Sequence, residues 1–238
     1  MTVHSFHLAA VPPSSTARAL TRPPTSATVP GLQDAECLAS MRLGAPTVSP
    51  ARMQLGRMAM FATWRDEEAL DAFLTAHPLG RRLAAGWHVR LEFLRRWGQV
   101  SALPEFAEPA EPGHPDEPVV AVTLARLNLT QLPRFLRWGK PVERQVRDHP
   151  ATTLALAAMR PPRTIATFSI WRSTEEMTRM VHGRGEHPGA TRHSDAMAER
   201  RRKDFHHEFT TLRFRPLAEY GEWQGRSGLV PGGIRDRD

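Results

Sequence analysis

Four stretches in the second half of the chain have the apolar patterns of β-strands. They are rich in β-branched and other apolar residues and are bounded by turn-forming residues. They lie at residues 119–127, 151–159, 164–171 and 207–215. Helical patterns follow the first and third strands, and a basic helical segment precedes the fourth. The resulting order β-α-β-β-α-β is that of a ferredoxin-like unit.

Capping residues predict where the helices of this unit begin. Thr130 can cap the first helix, which the Gly-Lys-Pro sequence at 139–141 is expected to break. Ser173 and Glu176 form a capping-box signature at the start of the next helix. The apolar face of that helix consists of Met177, Met180 and Val181.

The first half of the chain repeats the pattern. Its strand sequences read SFHLAAV, CLASMRL, RMAMFATW and HVRLEFLRRW, and Asp66 caps the helix after the third. The first helix is expected between Ser14 and Leu32, although the Pro, Ser and Thr content of that stretch disfavours regular structure. The first repeat is therefore predicted to have the same element order as the second.

The two halves match most closely at FATWR and FSIWR, which are 107 residues apart (168 minus 61). Trp64 and Trp171 end equivalent strands, and their large area predicts burial under the helices that follow. Each unit has a sheet with one apolar face, and packing the two sheets together buries both faces. The predicted fold class is α+β, with tandem ferredoxin-like repeats forming a single-chain, fused version of the dimeric α+β barrel.

Composition sets the predicted boundaries of these units. The first repeat is assigned to residues 1–103 and the second to 119–220. The segment 104–118 is rich in proline and acidic residues and is predicted to be a linker. The segment 221–238 is glycine-rich and weakly apolar apart from Trp223, which predicts a flexible tail.

Cysteine content, hydropathy and charge narrow the class of protein further. Cys37 is the single cysteine, so an intramolecular disulfide framework is excluded and a reducing cytoplasmic location fits best. No apolar stretch approaches the roughly 18 residues of a membrane helix, and no signal peptide is recognisable. The net charge of +7 comes almost entirely from arginines scattered among carboxylates. Nucleic-acid binding is therefore not predicted, whereas peripheral contact with a membrane stays open.

Histidines are the most suggestive chemical feature, since the chain has 11 and several crowd its second half. The spacings of His182, His187 and His193 miss the geometry of helical zinc ligands, and HExxH is absent. One imidazole suffices as the axial ligand of haem iron. His187 and His193, between the second helix and the basic helix, are the candidates for that role.

Several motifs carry a resemblance to a known family. They are SMRLG followed by SPARMQLGRMAMFATWRDEEAL, then RRWGQVSALPEF, LARLNLTQLPRFLRW, IATFSIWRSTEEM and FHHEFTTLRFRP. In order and spacing they resemble the spheroidene monooxygenase family of carotenoid biosynthesis, which belongs to the dimeric α+β barrel group. The resemblance covers most of residues 36–217, with Phe205 standing where the family usually has tryptophan.

The resemblance implies a monooxygenase that inserts oxygen into a hydrophobic small molecule such as a carotenoid. Haem would be the cofactor, molecular oxygen the co-substrate, and an electron donor a partner. The family's histidine falls on His193 when counted back from Phe205 and on His187 when counted forward from Met180. Arg172 would lie near a haem propionate or a polar end of the substrate.

Two alternatives from other classes remain open at this point. The barrel could be a cofactor-free monooxygenase that lets an electron-rich substrate react directly with oxygen, or a ligand-binding protein without catalytic activity. Ser-His-Asp, Gly-rich phosphate-loop and paired-carboxylate motifs do not stand out, so hydrolase and nucleotide-binding functions are not predicted. Both a monomer and a homodimer are compatible with an internally fused barrel.

Overall fold

The computed structural model describes residues 2–43, 49, 52–103, 105–106, 111–184 and 189–232. The strands are β1 (Val3–Ala10), β2 (Leu32–Met41), β3 (Met53–Trp64), β4 (Trp87–Gln99), β5 (Val119–Leu127), β6 (Thr152–Arg160), β7 (Thr164–Trp171) and β8 (His206–Tyr220). The helices are α1 (Pro13–Thr21), α2 (Glu67–Ala76), α3 (Pro78–Ala84), α4 (Leu132–Asp148), α5 (Thr174–Val181) and α6 (Arg192–Arg202).

These strands close into one antiparallel barrel in the order β1-β3-β2-β6-β7-β5-β8-β4. Each ferredoxin-like repeat contributes four consecutive strands of the barrel. The two seams between the repeats differ in length, because residues 88–99 of β4 pair with 209–220 of β8, whereas only 39–41 of β2 pair with 157–159 of β6. The predicted α+β fold, a fused barrel of tandem ferredoxin-like repeats, is confirmed.

The tryptophans that end β3 and β7 are core residues in both repeats, as predicted. Trp64 and Trp171 are 0% and 1% exposed. The indole Nε1–H of Trp64 donates to Ser5 Oγ at 2.8 Å, and that of Trp171 donates to Ser169 Oγ at 2.9 Å. Burial is favourable because each indole keeps a hydrogen-bond partner.

The predicted caps of α2 and α5 are confirmed by their hydrogen bonds. Asp66 Oδ1 accepts from the backbone N–H of Ala69 at 2.9 Å, and Ser173 Oγ accepts from that of Glu176 at 3.2 Å. In the first repeat, α1 forms with Pro13 in its first turn, where proline lacks an N–H that the helix does not need. The expected disruption of this helix is limited to the residues that follow it.

The predicted break at 139–141 is wrong, since α4 continues through Pro141. The fixed φ of proline suits a helix, and the loss is one backbone hydrogen bond plus a steric conflict, together about 3 kcal/mol. Val142 and Val146, which follow the proline, continue the face begun by Phe135. Continuity of this face keeps the helix intact.

The barrel interior is a packed core. Phe6 and Phe168 stack with ring centroids 3.7 Å apart, and Trp87 meets Phe168 edge to face. Contrary to the flexible tail expected for 221–238, Leu229 and Val230 are each 2% exposed within this core.

No helix among the described residues has the length and apolarity needed to cross a membrane.

Glu219 holds this C-terminal segment in the barrel mouth. Its carboxylate accepts the backbone N–H groups of Leu229 and Val230, each at 2.8 Å, and the indole N–H of Trp87 at 2.7 Å. Phe106, which lies within the predicted linker 104–118, also packs against the core. Parts of both segments that composition assigned to irregular chain are thus integrated into the barrel.

Candidate functional site

The outward face of the second sheet carries smaller side chains than the first at equivalent positions. Strand pairing makes the positions equivalent, because His7 pairs with Met60 and His88 just as Thr123 pairs with Thr167 and Thr211. The three residues of the first repeat are buried beneath its helices, whereas the three threonines stay partly or fully exposed. The helices of the second repeat therefore cover their sheet less completely.

The apolar residues of helix α4, which covers this sheet, are also incompletely buried. Its apolar residues Phe135, Leu136, Val142 and Val146 are only partly buried, and Gln145 is its single fully buried residue. In the first repeat, α2 buries Ala69, Leu70, Phe73 and Leu74. An apolar ligand can bind between the helices and the sheet where an apolar helix face lies over small side chains of the sheet.

His193 lies in this helical layer, in the first turn of α6. Its backbone N–H donates to Gln145 Oε1 at 3.0 Å, and Gln145 Nε2 donates to the carbonyl of Ala190 at 2.7 Å. The buried amide of α4 thereby fixes the start of α6. The position of His193 is set by two elements of the repeat rather than by the preceding loop.

Of the two imidazole nitrogens of His193, only Nδ1 has a hydrogen-bond partner among the described residues. Nδ1 lies 3.0 Å from the carbonyl oxygen of Val181, which can only accept, so Nδ1 carries the proton. Burial lowers the pKa of His193, with a smaller opposing effect from the Val181 hydrogen bond. Nε2 has no hydrogen-bond partner among the residues described. A neutral imidazole with its Nε2 lone pair free is the form that ligates iron.

Two arginines that pair with no carboxylate of the described residues lie on the outward face of the same sheet. Arg95 and Arg213 are paired across β4 and β8, and their guanidinium carbons lie 4.7 and 4.5 Å from the ring centroid of Trp97. Neither makes an ion pair with a described residue. Burial, and then the charge of Arg95, lower the pKa of Arg213. The pair is suited to an anionic group.

The residues predicted from sequence do not converge on one point. Arg172 is exposed at the start of α5, and its side chain makes no hydrogen bond or ion pair with any described residue. His193 is bound to Val181, at the other end of α5. The eight residues of this helix, at about 1.5 Å each, therefore separate Arg172 from His193 by roughly 12 Å. His187 lies outside the described residues. No group of three metal-ligating side chains occurs in the part of the chain that the structure describes.

One end of the barrel interior is polar, which the sequence patterns did not indicate. Glu36 is 3% exposed, and its Oε1 accepts from Arg160 Nε at 2.7 Å. Burial, and then the charge of Glu36, raise the pKa of Asp34 to about 6. At the equivalent positions of β6 the residues are Leu154 and Leu156. The two carboxylates of the polar end thus come from β2 of the first repeat, and Arg160 of β6 supplies their positive partner.

His4 lies near this end, inside a cage of phenylalanine rings whose centroids are 4.6–6.3 Å from its own. The rings are those of Phe61, Phe93, Phe106 and Phe214. His4 Nδ1 lies 3.0 Å from Thr63 Oγ1, and burial lowers the pKa of His4 to about 4. His4 is therefore neutral in the folded protein at neutral pH.

His4 is expected to make folding stability sensitive to acid. Its folded pKa is below the unfolded value, so the unfolded chain takes up the proton first and stability is lost as pH falls from 6.5 towards 4. Between pH 7 and pH 5 this amounts to about 2 kcal/mol. Urea unfolding at pH 7 and pH 5 measures how much stability each protein loses between the two pH values. The loss should be about 2 kcal/mol smaller in His4→Phe than in wild type. The exposed His207→Phe is the control, and an equal pH dependence in all three proteins would contradict the expectation.

The chain resembles known proteins in structure, but its sequence assigns it to no family. No protein-family model and no curated protein matches the chain. An aldoxime dehydratase in complex with butyraldoxime has a TM-score of 0.48 and 8% identity, covering 92% of this chain and 79% of that one. An anthrone oxidase-like protein has a TM-score of 0.33 and 12% identity, covering 95% and 96%. A heme-degrading enzyme from Listeria monocytogenes has a TM-score of 0.28 and 8% identity, covering 87% and 98%.

Proposed function

We propose that this protein is a haem-dependent oxygenase, similar to spheroidene monooxygenase, that inserts oxygen into a carotenoid or another apolar substrate. The observation that carries the proposal is the state of His193. Its Nδ1–H is held by the Val181 carbonyl at 3.0 Å, and its Nε2 has no partner among the described residues. A hydrogen bond of this kind fixes the tautomer and ring orientation of a metal-ligating histidine and raises its basicity.

The surroundings of His193 fit a large, flat and mostly apolar cofactor. The partly buried face of α4, from Phe135 to Val146, would contact one side of the macrocycle, and the outward Thr123 and Thr167 of the sheet would lie on its other side. Arg95 and Arg213 would hold the carboxylates of the haem or of the substrate, with Arg172 a further candidate. Arginine suits that role because its planar guanidinium binds carboxylates bidentately.

When bound, haem would supply the activation of molecular oxygen that side chains cannot provide. One oxygen atom enters a C–H bond of the substrate, and the other leaves as water with two electrons and two protons from a reductant. The chain's own contribution is limited to binding and environment. Val181 keeps the proton on Nδ1 of His193, and α4 excludes water from the apolar substrate.

The activity is tested with haem-loaded protein, a linear polyene, a chemical reductant and ¹⁸O₂. Mass spectrometry should detect product that carries one ¹⁸O atom, and its yield should fall to background without haem or reductant. The matched variant is His182→Ala, which removes an exposed neighbouring histidine and should retain activity. Equal product from haem-free protein would contradict haem dependence and favour a cofactor-free oxygenase. Polyene binding without any product would leave only a ligand-binding function.

A further inference from the structure

A second site, separate from His193, opens at the short seam between β2 and β6. Beyond the three paired positions the two strands separate, and a cavity of about 940 Å³ lies between them. Residues 152–156 of β6 line one wall, and residues 40–43, at the end of β2 and just beyond it, line the facing wall. The C-terminal segment closes a third side with Trp223 and Leu229. The volume is that of a small-molecule site.

The charge of the cavity lining has one sign. Four arginines line it, and no aspartate or glutamate is among the described lining residues. Arg147 is neutralised by Asp148, its Nε and Nη2 lying 2.7 and 2.8 Å from the two carboxylate oxygens. The other three are Arg42, Arg57 and Arg226, and none of them makes an ion pair with a described residue. Among the described residues, these three positive charges of the lining therefore have no negative partner.

Neutral contacts hold two of these arginines in place. Arg57 Nη1 donates to Gln54 Oε1 at 3.2 Å, and its guanidinium lies 5.8 Å from the centroid of the Trp223 ring. Arg226 Nη2 donates to the carbonyl oxygen of Thr153 at 3.2 Å. Each guanidinium has further N–H donors that these contacts do not use. The contacts place both guanidinium groups at the cavity wall, with Arg57 half-buried and Arg226 exposed.

The floor of the cavity is apolar. Leu154, Leu156 and Leu229 belong to the barrel core and are also part of the lining, so the cavity reaches the hydrophobic interior. Trp223 adds an aromatic wall beside Arg57. A ligand that matches the cavity needs an apolar or aromatic body for the floor and an anionic group for the arginines.

We propose that this cavity binds an amphiphilic organic anion, a carboxylate or sulfonate joined to an apolar body. The anionic group is held by Arg57 and Arg226, and the apolar body lies against Trp223 and Leu154. Binding requires no residue of the proposed haem site, because His193, Arg95 and Arg213 do not line the cavity. The site is independent of the oxygenase proposal and can be tested on haem-free protein.

The test uses two fluorescent probes of similar shape and different charge. They are 1-anilinonaphthalene-8-sulfonate, which is anionic, and N-phenyl-1-naphthylamine, which is neutral. In Arg57→Gln/Arg226→Gln the Kd of the anionic probe should rise at least tenfold, while that of the neutral probe stays within twofold. Arg57→Lys keeps the charge and should retain most of the anionic probe's affinity. Arg18→Gln, an exposed change on α1, is the control and should alter neither.

Three results would overturn the proposal. The anionic probe could fail to bind saturably, or its Kd could stay within twofold of wild type in the double variant. The two probes could also weaken by the same factor, which would assign the loss to the shape of the cavity rather than to its charge. Dodecanoate should displace the anionic probe from wild-type protein, and failure to do so would exclude carboxylates from the ligand class.

Discussion

Glu219→Ala is expected to lower the free energy of unfolding by about 4 kcal/mol. The carboxylate of Glu219 accepts three N–H groups, from Trp87, Leu229 and Val230, all within 2.7–2.8 Å. Trp87 is fully buried, so its indole N–H would lose its partner without gaining water, which costs roughly 1–3 kcal/mol. Release of Leu229 and Val230 would add the loss of their buried apolar area.

Urea unfolding of wild type and variant measures this loss, and amide hydrogen exchange locates it. Exchange at Leu229 and Val230 should accelerate far more than exchange at Val89, in the central part of β4. Glu219→Gln keeps one acceptor oxygen and should lose about half as much stability. Glu222→Ala, an exposed carboxylate in the same segment, should change stability by less than about 0.5 kcal/mol. A loss below about 1 kcal/mol in Glu219→Ala would show that the C-terminal segment is not held by this carboxylate.

The barrel could be predicted because its signals are local. Alternating apolar residues, capping residues such as Asp66 and Ser173, and the strand-end tryptophans each act within a few positions of the chain. The repeat at Phe61 and Phe168 then indicated two similar units. These features determine strands, helices and the apolar faces that must pack together.

The predictions that were wrong concern segments whose structure depends on distant residues. Leu229 and Val230 are ordered by Glu219 and by the barrel mouth they enter, and a glycine-rich composition gives no sign of either. The helix through Pro141 persists because its apolar face continues beyond the proline. In both cases tertiary contacts outweigh a local preference.

The candidate site could be predicted only in part from the sequence, because it too depends on contacts between residues that are distant along the chain. Arg95 and Arg213 are 118 residues apart (213 minus 95) and meet only through the pairing of β4 with β8. The motifs RRWG and LRFRP contain both arginines, but spacing does not show that they share a face. Sequence also left His187 and His193 equivalent. The proposal takes His193 because its Nδ1 is held by the Val181 carbonyl, whereas His187 lies outside the described residues.

His193→Ala is expected to abolish stable haem binding, because it removes a partly buried imidazole whose Nδ1 is held by Val181 and whose Nε2 has no partner among the described residues. Haem titration followed by gel filtration should leave a stoichiometric Soret band on wild type and on His182→Ala, and little on His193→Ala. Imidazole added to His193→Ala should restore part of the band, since it replaces the missing ligand without changing the fold.

Haem ligation by His193 is tested most directly by the absorption spectra of haem-loaded wild type and His193→Ala. Each protein is measured oxidised and then reduced under carbon monoxide. The predicted result is one haem per chain, a Soret band that shifts with carbon monoxide, and loss of that band in the variant. A featureless wild-type spectrum, or an unchanged band in His193→Ala, would contradict the claim that His193 ligates a haem iron in this barrel.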